Sequence, residues 1–487
     1  MHDPHPTSAT LGYLSAHDVL RRLDAGGLTS LDLVDTLIER VAQVDAPDSH
    51  TAVNSIAALS HEARAHANER DNERSRGGPL GPLHGVPVLI KDNVEALGLP
   101  ALAGSTSLIG RPSREATLVT RLREAGAIVL GSTNLSEWAN IRSPRSTGGY
   151  SATGGLVANP WALDRSSSGS SSGSGAALAA GLAPLAVGTE TDGSIVSPAS
   201  VNGVVGLKPT VGVVPTTYVV PVSASQDSPG PMGRTVADVA LMFSVLAQQS
   251  ARPATSTSMV VAKNWRTGHP ATDQMFDDVI IELRGAGLEV VERDLAVPGE
   301  VEGRDELNVL LAELVDDLGA YLDQRPGEGV RSLADVIVYE DEHAEIEQRY
   351  FAHEFFVEAV ATGGRSGPAY AESRRRNLAW ALETCLEPGI EGADVILAPA
   401  YGPTWKSDLI LGGHPGAASP VTSPAAIAGW PILSLPMGVV DGLPVGLAAV
   451  GRANAEWVVL DAARRIEGVL RAASPWPTPR WQSPVRG

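Results

Sequence analysis

Residues able to do chemistry gather at three places in the chain: Lys91 after an apolar run, a serine–glycine tract at Ser166 to Gly175, and a glycine turn at Gly188 to Ser194. Lys91 directly follows Val86-Pro87-Val88-Leu89-Ile90, which reads as a short strand. A lysine at a strand end beneath a glycine-rich layer is desolvated. Desolvation lowers its proton affinity and makes the neutral amine available as a base. Such a base activates a serine without any histidine. The turn Thr191-Asp192-Gly193-Ser194 then offers a serine preceded by pliable backbone, whose N–H groups can point at a developing oxyanion.

The serine–glycine tract has a second reading. Gly169-Ser170-Ser171-Ser172-Gly173 fits a nucleophile elbow, which would make Ser171 the nucleophile and require a histidine base from among His269, His343, His353 and His414. The pattern arises by chance in a Ser/Gly run. An elbow also needs a strand immediately before it, and residues 161–168 do not read as one. None of the four histidines sits in a segment that reads as a catalytic loop. A flexible linker is disfavoured because the tract leads into Ala176 to Val187, an alanine-rich segment that reads as a buried helix. Cys385, the only cysteine, lies in the helical stretch LAWALETCLEP and is expected as a packed thiol rather than a nucleophile.

The elements that must position these residues follow from the apolar periodicity. Two amphipathic helices are expected between Ser15 and Val44, separated by Gly26-Gly27, with Ser30 capping the second and Asp32 in its first turn. A helical stretch is expected over Asn54 to Arg76, a helix over Ala116 to Glu124, a buried strand over Ala127 to Gly131, and a helix starting over Asn134 to Asn140. Further strands are expected at Val201–Leu207, Met259–Val261, Glu289–Val291, Val395–Ala398, Ile432–Pro436 and Val445–Val450, the last two joined by the hairpin signal Asp441-Gly442. Helices separate most of the others, so the fold class is α/β: a large mixed sheet flanked by helices on both faces. Residues from about Glu300 to Glu387 are strongly helical and charged and read as a cap-like excursion, with Arg374-Arg375-Arg376 on a solvated helix face. Residues 1–10 read as a loose tail. The expected organisation is an N-terminal helical segment (1–80), a core (81–299), the excursion (300–390) and a C-terminal return to the sheet (391–487), together one large domain.

Composition narrows the function classes. A net charge of -19 and only 5% aromatic residues argue against a nucleic-acid partner, which needs clustered Lys and Arg. One cysteine excludes an intrachain disulfide and a cysteine-based zinc site. The N-terminus lacks a basic region followed by an apolar one, and no apolar run is long enough to span a bilayer. A cytoplasmic protein, without membrane or nucleic-acid partners, is the expectation.

Several blocks, taken together and in order, resemble the amidase signature family. They are GVPVLIKDNVEALGLPALAGSTSL (85–108), VLGSTNLSEWAN (129–140), GSSSGSGAALAAGL (169–182), GTETDGSIVSPASVNGVVGLKPT (188–210), SQDSPGPMGRTVADVA (225–240), and the C-terminal SPAAIAGWPILSLPMG with GLPVGLAAVG. Within the family, RSTGGYSATGG, TETDGSIV and SQDSPGPM resemble bacterial peptide amidases, which hydrolyse the C-terminal amide of peptides. The resemblance implies a Ser-Ser-Lys triad: Lys91 as general base, Ser170 as a bridging serine on a cis peptide bond, and Ser194 as nucleophile. Ser170 is preferred to its neighbours because its interval to Ser194 agrees with the family pattern. The resemblance further implies an oxyanion hole from the backbone N–H groups of Thr191, Asp192, Gly193 and Ser194, and a substrate-orienting role for Ser146. No metal or organic cofactor is implied, and the chain is expected as a monomer or homodimer acting on a small-molecule or peptide amide.

One departure bears on the substrate. Many family members carry Arg after the Gly-Ser-Ile of the nucleophile block, whereas Val196 follows Ile195 here. That loss argues against a small charged ligand held by an arginine and suits a longer, more apolar or peptidic one. The implied alternatives are a broad aliphatic or aryl amidase and the amidase subunit of a tRNA-dependent amidotransferase.

Overall fold

The computed structural model describes residues 11–46, 52–111, 113–252 and 258–473. The reading of residues 1–10 as a tail lies outside that range. Eleven strands form one mixed sheet. From edge to edge they run Ile56–Leu59, Ile128–Thr133, Pro87–Lys91, Leu185–Glu190, Ser228–Gly233, Val205–Lys208, Ile432–Val440, Leu443–Gly451, Val395–Pro399, Met259–Ala262 and Val290–Arg293. Pro87–Lys91 lies parallel to both neighbours, and Leu185–Glu190 is antiparallel to Ser228–Gly233.

Apolar side chains alternate across this sheet and build a core on each face. Met259, Val261, Val395, Leu397, Leu433, Leu447 and Ala449 pack on one side with Phe243, Phe276 and Ile466 from helices. Val260, Ala262, Ile396, Ala398, Ile432, Ala448 and Val450 point the other way, onto Leu386, Ile390 and Ala425. The period of two thus covers both faces, as the α/β reading requires.

Several expectations need correction. Residues 54–76 are not helical throughout: Ile56–Leu59 pairs with Ile128–Thr133, and the helix runs Ala63–Arg76. The Asp45 carboxylate accepts from the N–H groups of Ser55 and Ile56, which favours the extended form. The segment 176–187 divides into a helix, Ser172–Ala179, and a strand, Leu185–Glu190, with Gly181 at φ +71° in between. The strand expected at 201–207 starts late, because a helix occupies Val196–Asn202 and the left-handed Gly203 (φ +69°) ends it. Residues 162–166 form a short strand paired with Ala158–Asn159, so a strand does precede the serine tract, although outside the main sheet. Thr29, not Ser30, caps the second helix through its bond from Asp32 N–H.

The hairpin at Asp441-Gly442 is present, with φ +51° and +80° as a two-residue turn of this kind requires. The helical excursion is present too: Glu300–Gln324 leads it, followed by Leu333–Glu342, Glu354–Thr362 and Tyr370–Ala379. Arg375 and Arg376 pair with Glu372 on a largely solvated face, while Arg376 also reaches Asp305. Cys385 is buried in the π-helical segment Trp380–Leu386. Among the described residues, no helix is long and apolar enough to cross a membrane.

Candidate active site

Lys91 closes its strand with its side chain fully buried. Its Nζ lies 2.7 Å from Ser170 Oγ, 2.8 Å from Thr189 Oγ1 and 3.2 Å from Thr189 O. Burial pulls the amine down from its ordinary 10.5 to about 7, against the opposing charges of Asp227 and Glu190. The charged amine donates to all three oxygens; deprotonated, it keeps two N–H groups for Thr189 and has one lone pair to offer the Ser170 hydroxyl.

The serine tract is a packed layer. Gly169-Ser170 is a cis peptide bond, and the helix Ser172–Ala179 follows at once. Close approach explains the glycines: a Cβ on Gly173 would meet Asn134 O and Ser55 O at 2.4 Å. Ser171 is tied down by the backbone of Thr189, accepting from its N–H at 3.1 Å and donating to its carbonyl at 3.0 Å. Ser174 donates to Val187 O at 2.9 Å.

Ser194 follows the end of the strand Leu185–Glu190, and its carbonyl accepts from Ser171 N–H at 3.1 Å, which places it beside Ser170. The turn before it is held from several sides. Thr191 Oγ1 donates to Asp227 at 2.6 Å, Ser423 Oγ donates to Asp192 at 2.9 Å, and Gly193 sits at φ +75°. Beyond Ser194, the Glu190 carboxylate accepts from the N–H groups of Ile195 and Val196 at 2.6 and 2.9 Å. Burial raises both the Asp192 and Glu306 carboxyls, and the charge of Asp192 raises Glu306 further.

A cavity of about 280 Å³ opens onto this turn. Asp192, Gly193, Ser194, Ser168 and Gly169 line it, together with Ala139, Asn140, Ser146, Leu310, Tyr401 and Trp405. Among the described residues, no Lys, Arg or His lines it. Val196 points elsewhere, into the apolar core with Trp265 and Ala425. One wall is strained: Trp138, Ala139 and Asn140 have φ of +46°, +54° and +71°. The expected helix over 134–140 is only a tight turn at Glu137–Asn140. Left-handed backbone costs about 1–2 kcal/mol for each residue with a Cβ, least for Asn.

The structure therefore brings Lys91, Ser170, Ser194 and the 191–193 turn together, with Ser146 on the wall. His269, His343, His353 and His414 are absent from the cavity lining, and Ser171 is engaged by backbone. Sequence reasoning missed Thr189, the second partner of Lys91, and Asn93, which donates to Thr189 Oγ1 at 3.0 Å. Both stand within blocks already singled out, yet nothing in their spacing marks them as partners of an amine.

Comparison with known proteins shows the family of the chain. The Amidase family model matches residues 32–460. A probable amidase of Arabidopsis thaliana is 36% identical over 85% of this chain and 83% of its own length. A glutamyl-tRNA(Gln) amidotransferase subunit of Symbiobacterium thermophilum is 33% identical over 94% of this chain and 97% of its own. Among solved structures, the native peptide amidase of Stenotrophomonas maltophilia superposes with a TM-score of 0.87 at 36% identity, covering 96% of this chain and 98% of that one. This chain belongs to the amidase signature family and is a hydrolase of amide bonds.

Proposed function

We propose that the chain hydrolyses the C-terminal carboxamide of peptides to a carboxylate and ammonia through an acyl-enzyme on Ser194. The observation that carries the mechanism is the buried Lys91–Ser170 contact of 2.7 Å beside the Ser194 turn. Neutral Lys91 takes the proton of Ser170 as Ser170 takes that of Ser194, and Ser194 Oγ attacks the amide carbon. The N–H groups of Thr191, Asp192, Gly193 and Ser194 receive the charge that develops on the carbonyl oxygen. As the tetrahedral intermediate collapses, the proton returns through Ser170 to the leaving nitrogen. Water then attacks the ester by the same relay and releases the acid. Ser146 orients the substrate carboxamide from the cavity wall.

The lining supports the substrate class. Among the described residues the lining holds the acid Asp192 and no Lys, Arg or His, so it offers no cationic side chain to the α-carboxylate of free glutamine. A peptide amide has no carboxylate at its reacting end. The peptide amidase among the structural relatives points the same way, whereas the amidotransferase subunits among the sequence relatives point to glutamine as the second reading. Ammonia release from an amidated dipeptide, propionamide and glutamine, measured on the purified chain alone, separates the readings. Preference for the dipeptide amide is expected; activity on glutamine only, and only with partner subunits, would reject it.

A further inference from the structure

The left-handed wall Trp138-Ala139-Asn140 is held by machinery the triad does not use. Asn140 is exposed at the cavity, and within the described residues its side-chain amide makes no hydrogen bond. Its neighbours on both sides are fixed. Trp138 N–H donates to Ala103 O at 2.8 Å, and its indole Nε1 donates to Glu340 at 3.1 Å. The Trp138 ring meets Phe356 edge-on at 5.9 Å. Arg142, two residues after Asn140, is wholly buried. It lies 2.7 Å from Glu137, 3.7 Å from Glu340 and 3.8 Å from Glu347, and donates to Phe351 O at 3.1 Å. Glu340, Glu347, Phe351 and Phe356 all come from the helical excursion, so that excursion clamps the wall to the site.

This fixing holds the Asn140 amide at the cavity without a hydrogen-bond partner among the described residues. A primary amide donates and accepts at once, which matches the C=O and N–H of a peptide group. Resting on the peptide-amide reading, we propose that Asn140 is a specificity-determining residue that hydrogen-bonds the backbone of a peptide substrate, and that Arg142 with its glutamates positions it. A small amide has no second peptide group to offer, so the contact discriminates between substrate classes.

Asparagine also tolerates left-handed backbone, and the test must separate that role from binding. Asn140→Gly keeps the backbone freedom and removes the amide; Asn140→Asp keeps the shape and an acceptor but loses the donor. Steady-state kcat and KM are measured for each on an amidated dipeptide and on propionamide. Asn140→Asp is expected to lose about tenfold more kcat/KM on the dipeptide amide than on propionamide, the worth of one hydrogen bond, and Asn140→Gly at least as much, chiefly through KM. Equal losses on both substrates, or full activity of Asn140→Gly on the dipeptide, would overturn the inference. A wild-type chain inactive on the dipeptide amide but active on propionamide would overturn the peptide reading itself, and the inference with it.

Discussion

The proposed role of Lys91 as a neutral base has a quantitative consequence for pH. With its proton affinity pulled from 10.5 to about 7 by burial, about half of the molecules carry the free amine at pH 7. An exposed lysine at 10.5 would offer only about 3 in 10,000 there, so burial alone supplies roughly a thousandfold in available base. The kcat/KM for amide hydrolysis is therefore expected to fall tenfold per pH unit below a limb near 7. Substituting Lys91→Arg keeps a long cationic side chain but removes the base, because a guanidinium does not deprotonate in the working range. The expected loss is about 10²–10⁴-fold, with the limb abolished. Asp227→Asn tests the electrostatics: Asp227 raises Lys91, so its neutralisation should move the limb to lower pH. Ammonia release by the three proteins, recorded across the range in which each stays folded, provides the readout. A flat wild-type profile, or an Arg variant with more than about a tenth of the activity, would refute the role of Lys91 as the base.

Other consequences concern stability and reactivity. Burial among the carboxylates around Arg142 pushes Glu137 up to about 8 from an ordinary 4.5, so the folded state holds a proton that the unfolded state releases. That stabilisation is complete below about 4.5 and is lost as pH rises towards 8, at up to about 1.4 kcal/mol per unit. The difference in Tm between Glu137→Gln and the parent should accordingly grow in favour of the variant over this window; a pH-independent difference would contradict it. Burial also pushes the Cys385 thiol up to about 12. An aromatic disulfide reagent should leave native Cys385 unmodified and react fully in denaturant; rapid labelling of the native chain would show the thiol to be exposed.

Much of the site was legible because small residues and one lysine stand in unusual local patterns. The apolar run before Lys91 implies a strand ending at a loop, and it ends there; the segment before Ser194 reads as a helix, yet its last part is the strand Leu185–Glu190. What stayed hidden depends on contacts across the sheet. Nothing local marks Thr189 as the partner of Lys91, since the two meet only when strands far apart in sequence become neighbours. Ile56 pairs at the sheet edge although its surroundings favour a helix, because Asp45 and the strand Ile128–Thr133 capture its backbone. The left-handed turn at Trp138 runs against the preferences of Trp and Ala and is sustained by residues some two hundred positions later. The charged periodicity of the excursion announced its helices but not that Glu340 and Glu347 are buried around Arg142.

The assignment of the nucleophile is the centre of the account, and covalent labelling tests it directly. Intact mass after treatment with a serine-reactive fluorophosphonate, followed by peptide mapping, should show one adduct located at Ser194 and none on the Ser194→Ala variant. An adduct on Ser171, with the Ser194→Ala variant still labelled and active, would contradict the account and favour a nucleophile elbow in its place.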